Sequence, residues 1–423
     1  MYKSSVWLGC CFLLSLLTTG CRRPAIQTVH HMNDTIQWEK LPDLPGTTDT
    51  TSLGVSAPFA GIHNGKLIVA GGCNFPDKPV TEGGIKRYYE EIFVLDLAAS
   101  DPELAPISSG SRLSAPAHGS AAGWKEAGKL PYPVAYGAAV STPSGVVCIG
   151  GNNSDSSLVR VACLAWDEAR GELETRQLPA LPAPMDNLAA AFAGTKVYVG
   201  GGNEDGRPAH TFLCLDLSAP DRGWQRLPDF PGCARVQPVL AAQQSPEGEK
   251  IYLAGGFQPI LGTEAPVVPT DVLAFDPAAG RWSVETSLPG FENGALRTLT
   301  GGCAVAFKKN ALLFMGGVNY DCFLAAIDRP RRLAEAQAAG DTARTDLLQA
   351  EAKAYMRHPA EWYRFNTSLL QYDTYTKEWT DRGGYEPLAR AGAGAVIAGE
   401  YLIIVNGELK PGIRTPQVNR ARL

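Results

Sequence analysis

At 423 residues the chain could hold two or three ordinary domains, yet a single ring of repeated sheets also reaches this size, so length leaves the domain count open. Hydrophobic residues at 45% and charged residues at 19%, with 45 Gly and 31 Pro, exclude a disordered chain and suit many short strands joined by tight turns. A formal net charge of −5, with no Lys/Arg run beyond Arg329 to Arg332, which Pro330 interrupts, argues against a nucleic-acid partner.

The N-terminus reads as an export signal over residues 1–20. Lys3 supplies the positive start, Val6 to Leu17 is almost wholly apolar, and Leu17-Thr18-Thr19-Gly20-Cys21 follows. A small residue directly before a Cys at this distance resembles a bacterial lipoprotein signal, although Thr18 stands where Leu is usual. The expectation is acylation of Cys21, the alternative being simple cleavage to a soluble periplasmic product. Residues 21–35 would be a tether, the only membrane contact would be a lipid anchor, and the location would be the periplasm or outer membrane.

From residue 36 onward the organisation comes from internal repeats. An apolar run ending in a Gly pair recurs as LIVAGG (67–72), VVCIGG (146–151), VYVGGG (197–202), IYLAGG (251–256) and LLFMGG (312–317). A sixth, LIIVNG (402–407), has Asn406 in place of the first Gly. Each follows a small-residue strand with a hairpin turn, and several lead into an apolar strand ending in Asp and then a Trp strand, at Trp124, Trp224, Trp282 and Trp379. Four strands per unit and six units predict an all-β fold, a six-bladed kelch-type β-propeller spanning 36–423. The last unit lacks its own Trp strand, and Ile36 to Pro42 at the other end supplies one. Pairing that N-terminal strand into the last blade closes the ring.

Two stretches interrupt the pattern. Asp101 to Gly123 is rich in Ser, Pro and Ala and reads as a loop. Residues 328–364, with Leu333, Leu347, Leu348, Ala354 and Tyr355 among Ala, Glu, Gln and Arg, read as a helical insertion, either a surface helix or a lid over one mouth of the channel. Beyond Cys21 there are seven cysteines, at 73, 148, 163, 214, 233, 303 and 322, with no CxxC and no His at metal-ligand spacing. Cys148 and Cys214 lie in apolar strand runs and are expected in the core. No metal or organic cofactor is expected.

In such blades the residues just after the Gly pairs can project toward the central channel. They begin Cys73-Asn74-Phe75, Asn152-Asn153, Asn203-Glu204, Phe257-Gln258, Val318-Asn319 and Glu408-Leu409. Amides and carboxylates there suit a hydroxylated ligand, the alternative being turn residues that bond their own backbone.

One stretch is more specific. Gly407-Glu408-Leu409-Lys410-Pro411-Gly412-Ile413-Arg414-Thr415 sets a carboxylate and a guanidinium six residues apart around a Lys-Pro-Gly turn. Here the sequence resembles the N-acetylneuraminate epimerases, also called sialic acid mutarotases, whose signature has the form GExKPGxRT. The resemblance extends over most of the chain in rotated order. Pro58 to Ile62, Gly71 to Phe75, Glu82 to Tyr89 and Ala135-Tyr136-Gly137 look like late epimerase segments, whereas Phe230 to Gln237, Gly316 to Asn319 and Phe365-Asn366 look like early ones. That order is similar to the cyclically permuted mutarotase branch. The resemblance implies Glu408 and Arg414 as the catalytic pair, Arg235 and Gln237 in a loop at the channel mouth, and Asn74, Lys86 and Asn319 in substrate-binding stretches. Each has a plainer reading: a salt bridge across a turn for Glu408 and Arg414, an ion pair for Arg235, a solvated charge for Lys86.

The implied activity is interconversion of the α- and β-anomers of N-acetylneuraminate by acid/base ring opening. A carboxylate can move the protons, and a guanidinium can grip the substrate carboxylate. Competing readings are a mutarotase of another acidic sugar and a non-catalytic kelch module binding carbohydrate or protein. A sialidase would show repeated Asp boxes, and a copper radical oxidase paired His ligands; neither pattern is present.

Overall fold

The structure is a computed structural model and describes residues 29–32, 35–46, 52–98, 123–292 and 294–423. The export signal, Cys21 and most of the Ser/Pro/Ala stretch at 101–123 lie outside the described residues. Of the expected tether, Val29–His31 form a short strand, paired parallel with the strand that begins at Trp379.

Strands dominate the described residues, and the main ones form six antiparallel sheets of four strands, the fifth carrying Val29–His31 as an added edge. In chain order the sheets start at Phe59–His63, Ala138–Thr142, Ala189–Ala193, Val236–Ser245, Gly302–Phe307 and Gly394–Ala398. Within each of the first five, strands pair antiparallel in chain order, the first two through a tight hairpin. The sixth takes its outer strand from the other end of the chain, where Trp38–Leu41 pairs with Val418–Arg422 in the register Trp38 to Ala421 and Leu41 to Val418.

The second strand of each sheet carries an uninterrupted apolar run before its Gly pair, or before Asn406-Gly407, because both of its faces are covered there. Successive side chains point opposite ways. Leu67 packs with Ile403 and Val405 of the sixth sheet, while its neighbour Ile68 packs with Val146 and Leu164 of the second. The same alternation repeats, so the core is six apolar clusters, each between two neighbouring sheets, and the last joins the fifth sheet to the sixth. Cys148 and Cys214 are buried in these clusters. Outer Trp side chains tie one sheet to the preceding one, the indole of Trp224 donating to the Pro179 carbonyl at 2.8 Å and that of Trp282 to Pro228 at 2.8 Å.

The Gly pairs end these strands in a left-handed turn. The first glycine has φ between +59° at Gly150 and +68° at Gly316, and the second between +76° at Gly256 and +97° at Gly72. Asn406 takes the same conformation at φ +54°, which Asn tolerates better than other residues with a side chain. The second residue of the turn reaches across to the next sheet: Gly72 donates to Val134, Gly151 to Met185, Gly202 to Arg235 and Gly317 to Arg390, all at 2.8 Å.

At or just before the start of each first strand lies another left-handed residue: Ala57, Tyr136, Asn187, Gln237, Gly301 and Gly392. Their backbone groups form a closed cycle of hydrogen bonds. Tyr136 donates to Ala57 at 3.2 Å, Asn187 to Tyr136 at 2.7 Å, Gln237 to Asn187 at 2.8 Å, Gly301 to Gln237 at 3.3 Å, Gly392 to Gly301 at 2.8 Å and Ala57 to Gly392 at 2.7 Å.

The helical insertion begins earlier than its composition suggests. The first helix, α1, spans Tyr320–Ala338 and the second, α2, Thr342–Tyr355. The start is set by Asn319, whose side-chain oxygen caps α1 by accepting from the Cys322 amide at 3.1 Å, with Asp321 adding a favourable charge in the first turn. Asn319 therefore serves two elements at once, as a residue after the fifth Gly pair and as a helix cap.

Candidate active site

Six equivalent positions surround one end of the hydrogen-bonded cycle. The residue directly after each Gly pair forms a backbone bridge or hydrogen bond to the start of its own sheet: Cys73 with Ser56, Asn152 with Ala135, Asn203 with Asp186, Phe257 with Val236, Val318 with Thr300 and Glu408 with Ala391. Half of this set is apolar, so the expected polar ring is broken: Asn152 and Asn203 are adjacent, whereas Glu408 stands between Val318 and Cys73. Glu408 is its one acidic member.

Glu408–Lys410 and Ile413–Arg414 make a small hairpin with Glu408 opposite Arg414. Gly412 in its turn has φ +85°, and a Cβ there would lie 2.7 Å from the Val80 side chain, so only glycine fits. Lys410 donates to the His358 carbonyl at 2.6 Å, tying the hairpin to the insertion. Across the hairpin Arg414 Nη2 meets Glu408 Oε1 at 2.5 Å, with side-chain exposures of 3% and 21%. The guanidinium also lies 4.9 Å from the centre of the Phe75 ring. Its Nε and Nη1 are buried without a hydrogen-bond partner among the described residues. Burial pushes the Glu408 carboxyl above its ordinary range, outweighing the opposite pull of Arg414 and Lys86.

Glu408 lines a cavity of about 220 Å³ together with Gln237, Asn319, Phe257 and, from the insertion, Cys322, Phe323, Tyr355 and Tyr363. Phe257 and Phe323 meet edge to face at 5.0 Å. The insertion is thus one wall of the site. Asn319 is 1% exposed and its Nδ2 has no partner among the described residues, leaving a donor at the cavity wall. Gln237 is steadied by Nε2 donating to Asn187 Oδ1 at 2.9 Å.

The structure therefore brings Glu408, Arg414, Gln237 and Asn319 together. Lys86 stands nearby, its ammonium 3.4 Å from the Tyr136 hydroxyl and close enough to act on Glu408. Asn74 and Arg235 go elsewhere. Asn74 donates to the Gly54 carbonyl at 2.8 Å and accepts from the Tyr89 hydroxyl at 2.7 Å, so both ends of its amide are engaged beside a separate cavity of about 90 Å³. Arg235 is 1% exposed and pairs with Asp271 at 2.8 Å. It stands two residues before Gln237 in the hydrogen-bonded cycle, where the other sheets have Val55, Val134, Met185, Leu299 and Arg390. Such a position packs between sheets, and the guanidinium is held there by Asp271 and the Gly255 carbonyl. Arg390 does the same, donating to Gln417 and Asn419 side chains at 2.9 and 2.7 Å.

Two tyrosines that were not among the expected site residues lie at or beside the site. Tyr355 lines the cavity, its phenol pushed up to about 12 by burial. Tyr136 sits beside Cys73 and Lys86, its phenol pushed well above the ordinary tyrosine range by burial and by the charge of Glu408. A usable signal for Tyr136 was its place in the repeat, where the other sheets carry Ala, Asn, Gln or Gly. Among the described residues no group of three His, Cys, Asp or Glu is placed to hold a metal ion.

A family model described as N-acetylneuraminate epimerase matches residues 178–423. The chain belongs to the N-acetylneuraminate epimerase family. It is 32% identical over 246 residues to an N-acetylneuraminate epimerase of Haemophilus influenzae (strain PittEE), covering 58% of this chain and 59% of that protein. It is 30% identical over 241 residues to that of Pasteurella multocida (strain Pm70), covering 57% of each. The chain thus spans less than two thirds of the length of the curated relatives it matches. The solved structure of YjhT is similar at 27% identity and a TM-score of 0.46, covering 56% of this chain and 62% of that one. The family match contains Arg235, Gln237, Asn319, Glu408 and Arg414, whereas Asn74, Lys86 and Tyr136 precede it.

Proposed function

We propose that this chain is a mutarotase of N-acetylneuraminate, interconverting its α- and β-anomers. The observation that carries this reading is Glu408: a largely buried carboxylate at a cavity wall, paired with Arg414 and held by burial at a raised pKa. A carboxyl whose pKa burial raises takes up a proton more readily than an exposed one, which suits anomer exchange, in which the anomeric hydroxyl loses a proton, the ring oxygen gains one, the ring opens, one bond rotates and the ring recloses. Arg414 holds the carboxylate in place, and with Lys86 it supplies the positive field that the sugar's own carboxylate would meet. The unpartnered Nδ2 of Asn319 offers a donor to a sugar oxygen, and the Phe257 and Phe323 rings offer an apolar face.

The scaffold of this reading is a closed six-bladed kelch-type β-propeller. Its support is the cycle of hydrogen bonds through Ala57, Tyr136, Asn187, Gln237, Gly301 and Gly392, together with the pairing of Trp38–Leu41 into the sixth sheet. A ring keeps its neighbours wherever the chain is cut, so a cyclic permutation agrees with a family match confined to 178–423. Export and acylation at Cys21 complete the proposal, supported by Lys3, the apolar run to Leu17 and Gly20-Cys21. The mass of the mature N-terminal peptide tests that part.

The deciding experiment follows α-N-acetylneuraminate, freshly released by a sialidase, by proton NMR. Faster approach to the β-anomer with the protein than in buffer, lost on Glu408→Gln, supports the assignment. Equal rates would remove this substrate and leave another acidic sugar or a binding role.

A further inference from the structure

The cycle that lines the channel contains one bulky side chain. Four of its six left-handed positions carry Ala, Gly, Gly and Asn and a fifth carries Gln, whereas Tyr136 holds φ +58°, a conformation rare for an aromatic residue. Its backbone is secured on both sides, donating to Ala57 and accepting from Asn187. Strained backbone of this kind collects where a side chain must point to a particular place.

The place it points to is beside Glu408. Glu408 bridges Ala391, next to Gly392 in the cycle, and between Gly392 and Tyr136 only Ala57 intervenes. Those two positions carry almost no side chain, so neither Gly392 nor Ala57 places a bulky group between carboxylate and phenol. The groups facing the Tyr136 hydroxyl are the Lys86 ammonium at 3.4 Å, the Cys73 thiol, which hydrogen-bonds it, and the charges of Glu408 and Arg414. Tyr88 lies within reach of the same ammonium, its ring centre 5.9 Å away.

We propose that Tyr136 is the second proton-transferring residue of this site, giving its phenolic proton to the sugar ring oxygen while Glu408 takes the proton of the anomeric hydroxyl. The inference rests on the mutarotase reading above. On opening, the anomeric O–H bond breaks toward the Glu408 carboxylate and the carbonyl forms. The bond between the anomeric carbon and the ring oxygen releases its electron pair to that oxygen, which takes the Tyr136 proton. The resulting phenolate is stabilised by the Lys86 ammonium. After rotation, closure runs the transfers in reverse: the hydroxyl attacks the carbonyl and returns its proton to Tyr136, and Glu408 protonates the new anomeric oxygen. Both residues end as they began, and no oxidant or co-reactant is required.

The test uses α-N-acetylneuraminate with wild type, Tyr136→Phe, Lys86→Met and Glu408→Gln, measuring kcat, KM and the rate as a function of the deuterium fraction of the solvent. Tyr136→Phe keeps the ring that fills the site, and is expected to lower kcat by about 10²-fold with little change in KM, the usual range for general acid help. The deuterium dependence should be curved in wild type, with two protons in flight, and linear in Tyr136→Phe. Lys86→Met, which leaves Tyr136 untouched, should lower kcat as well. If Glu408→Gln is inactive while Tyr136→Phe turns over at the wild-type rate, Tyr136 is not the acid and the mutarotase reading stands. If wild type does not accelerate the reaction, the mutarotase reading falls and this inference with it.

Discussion

Arg414 gives Glu408 one N–H, Nη2 at 2.5 Å, while its Nε and Nη1 lie buried without a partner among the described residues. The pair is thus a carboxylate held from one side by a cation that the surrounding packing encloses. Glu408→Gln keeps the size and an acceptor for that contact but cannot exchange protons, so conversion of the α-anomer should fall by about 10² to 10⁴-fold. Time-resolved NMR of the anomers, with circular dichroism to confirm an intact fold, checks it.

Acidification should slow the reaction above the pH at which an ordinary glutamate titrates. Burial raises the Glu408 pKa, and the active base is the ionised form, so the rate declines as pH falls through that raised value. Arg414 pulls the pKa down, so Arg414→Ala should move this acid limb to still higher pH. Rates measured between pH 4 and 9, on the scale fixed by the ordinary value of about 4.3, decide the matter. An acid limb that stays in place without Arg414 would mean that the guanidinium does not tune Glu408.

Arg235 is expected to behave as a packing residue. Replacing it by Met reproduces what the second sheet's successor already has at the same position, Met185, and removes a buried charge, so stability should stay within about 1 kcal/mol of wild type. Arg235→Ala instead leaves a hole and strands Asp271, which is 33% exposed, and should cost about 2 to 3 kcal/mol. Urea unfolding measures both. A fully folded Arg235→Met that no longer converts the α-anomer would return this residue to the site.

Asn406 offers a test of the repeat itself. Its side-chain oxygen and nitrogen are buried without partners among the described residues, and the other five sheets have Gly there. Asn406→Gly should be neutral or stabilising by up to about 1 kcal/mol, since it removes unsatisfied polar atoms at the expense of some chain entropy. Asn406→Val, β-branched in a left-handed conformation, should lose about 1 to 3 kcal/mol. Thermal unfolding of the two variants should separate them in opposite directions.

The repeat, its strand pattern and the hairpin carrying Glu408 and Arg414 were legible in the sequence because each is set by local rules. A strand covered on both faces must be apolar throughout, as LIVAGG and its relatives are, and a left-handed turn selects Gly or Asn. Six residues around a Lys-Pro-Gly turn can bring two side chains face to face without help from the rest of the chain. The donation of Trp38–Leu41 to the sixth sheet was also readable, since one unit lacked a strand and the N-terminus had one to spare. Other assignments needed the tertiary structure. Arg235 follows a site-like motif, yet a position that the neighbouring sheets fill with Met185 and Leu299 draws it into the packing, and Asp271, distant in sequence, supplies its partner. Asn319 was visible as a residue after a Gly pair but not as the cap that starts α1 at Tyr320. Tyr136 was visible only within the family-like segment Ala135-Tyr136-Gly137, with no role attached. Its nearness to Glu408, some 270 residues later in the chain, exists because sheets from the two ends of the chain are neighbours in space, and no local pattern records that contact.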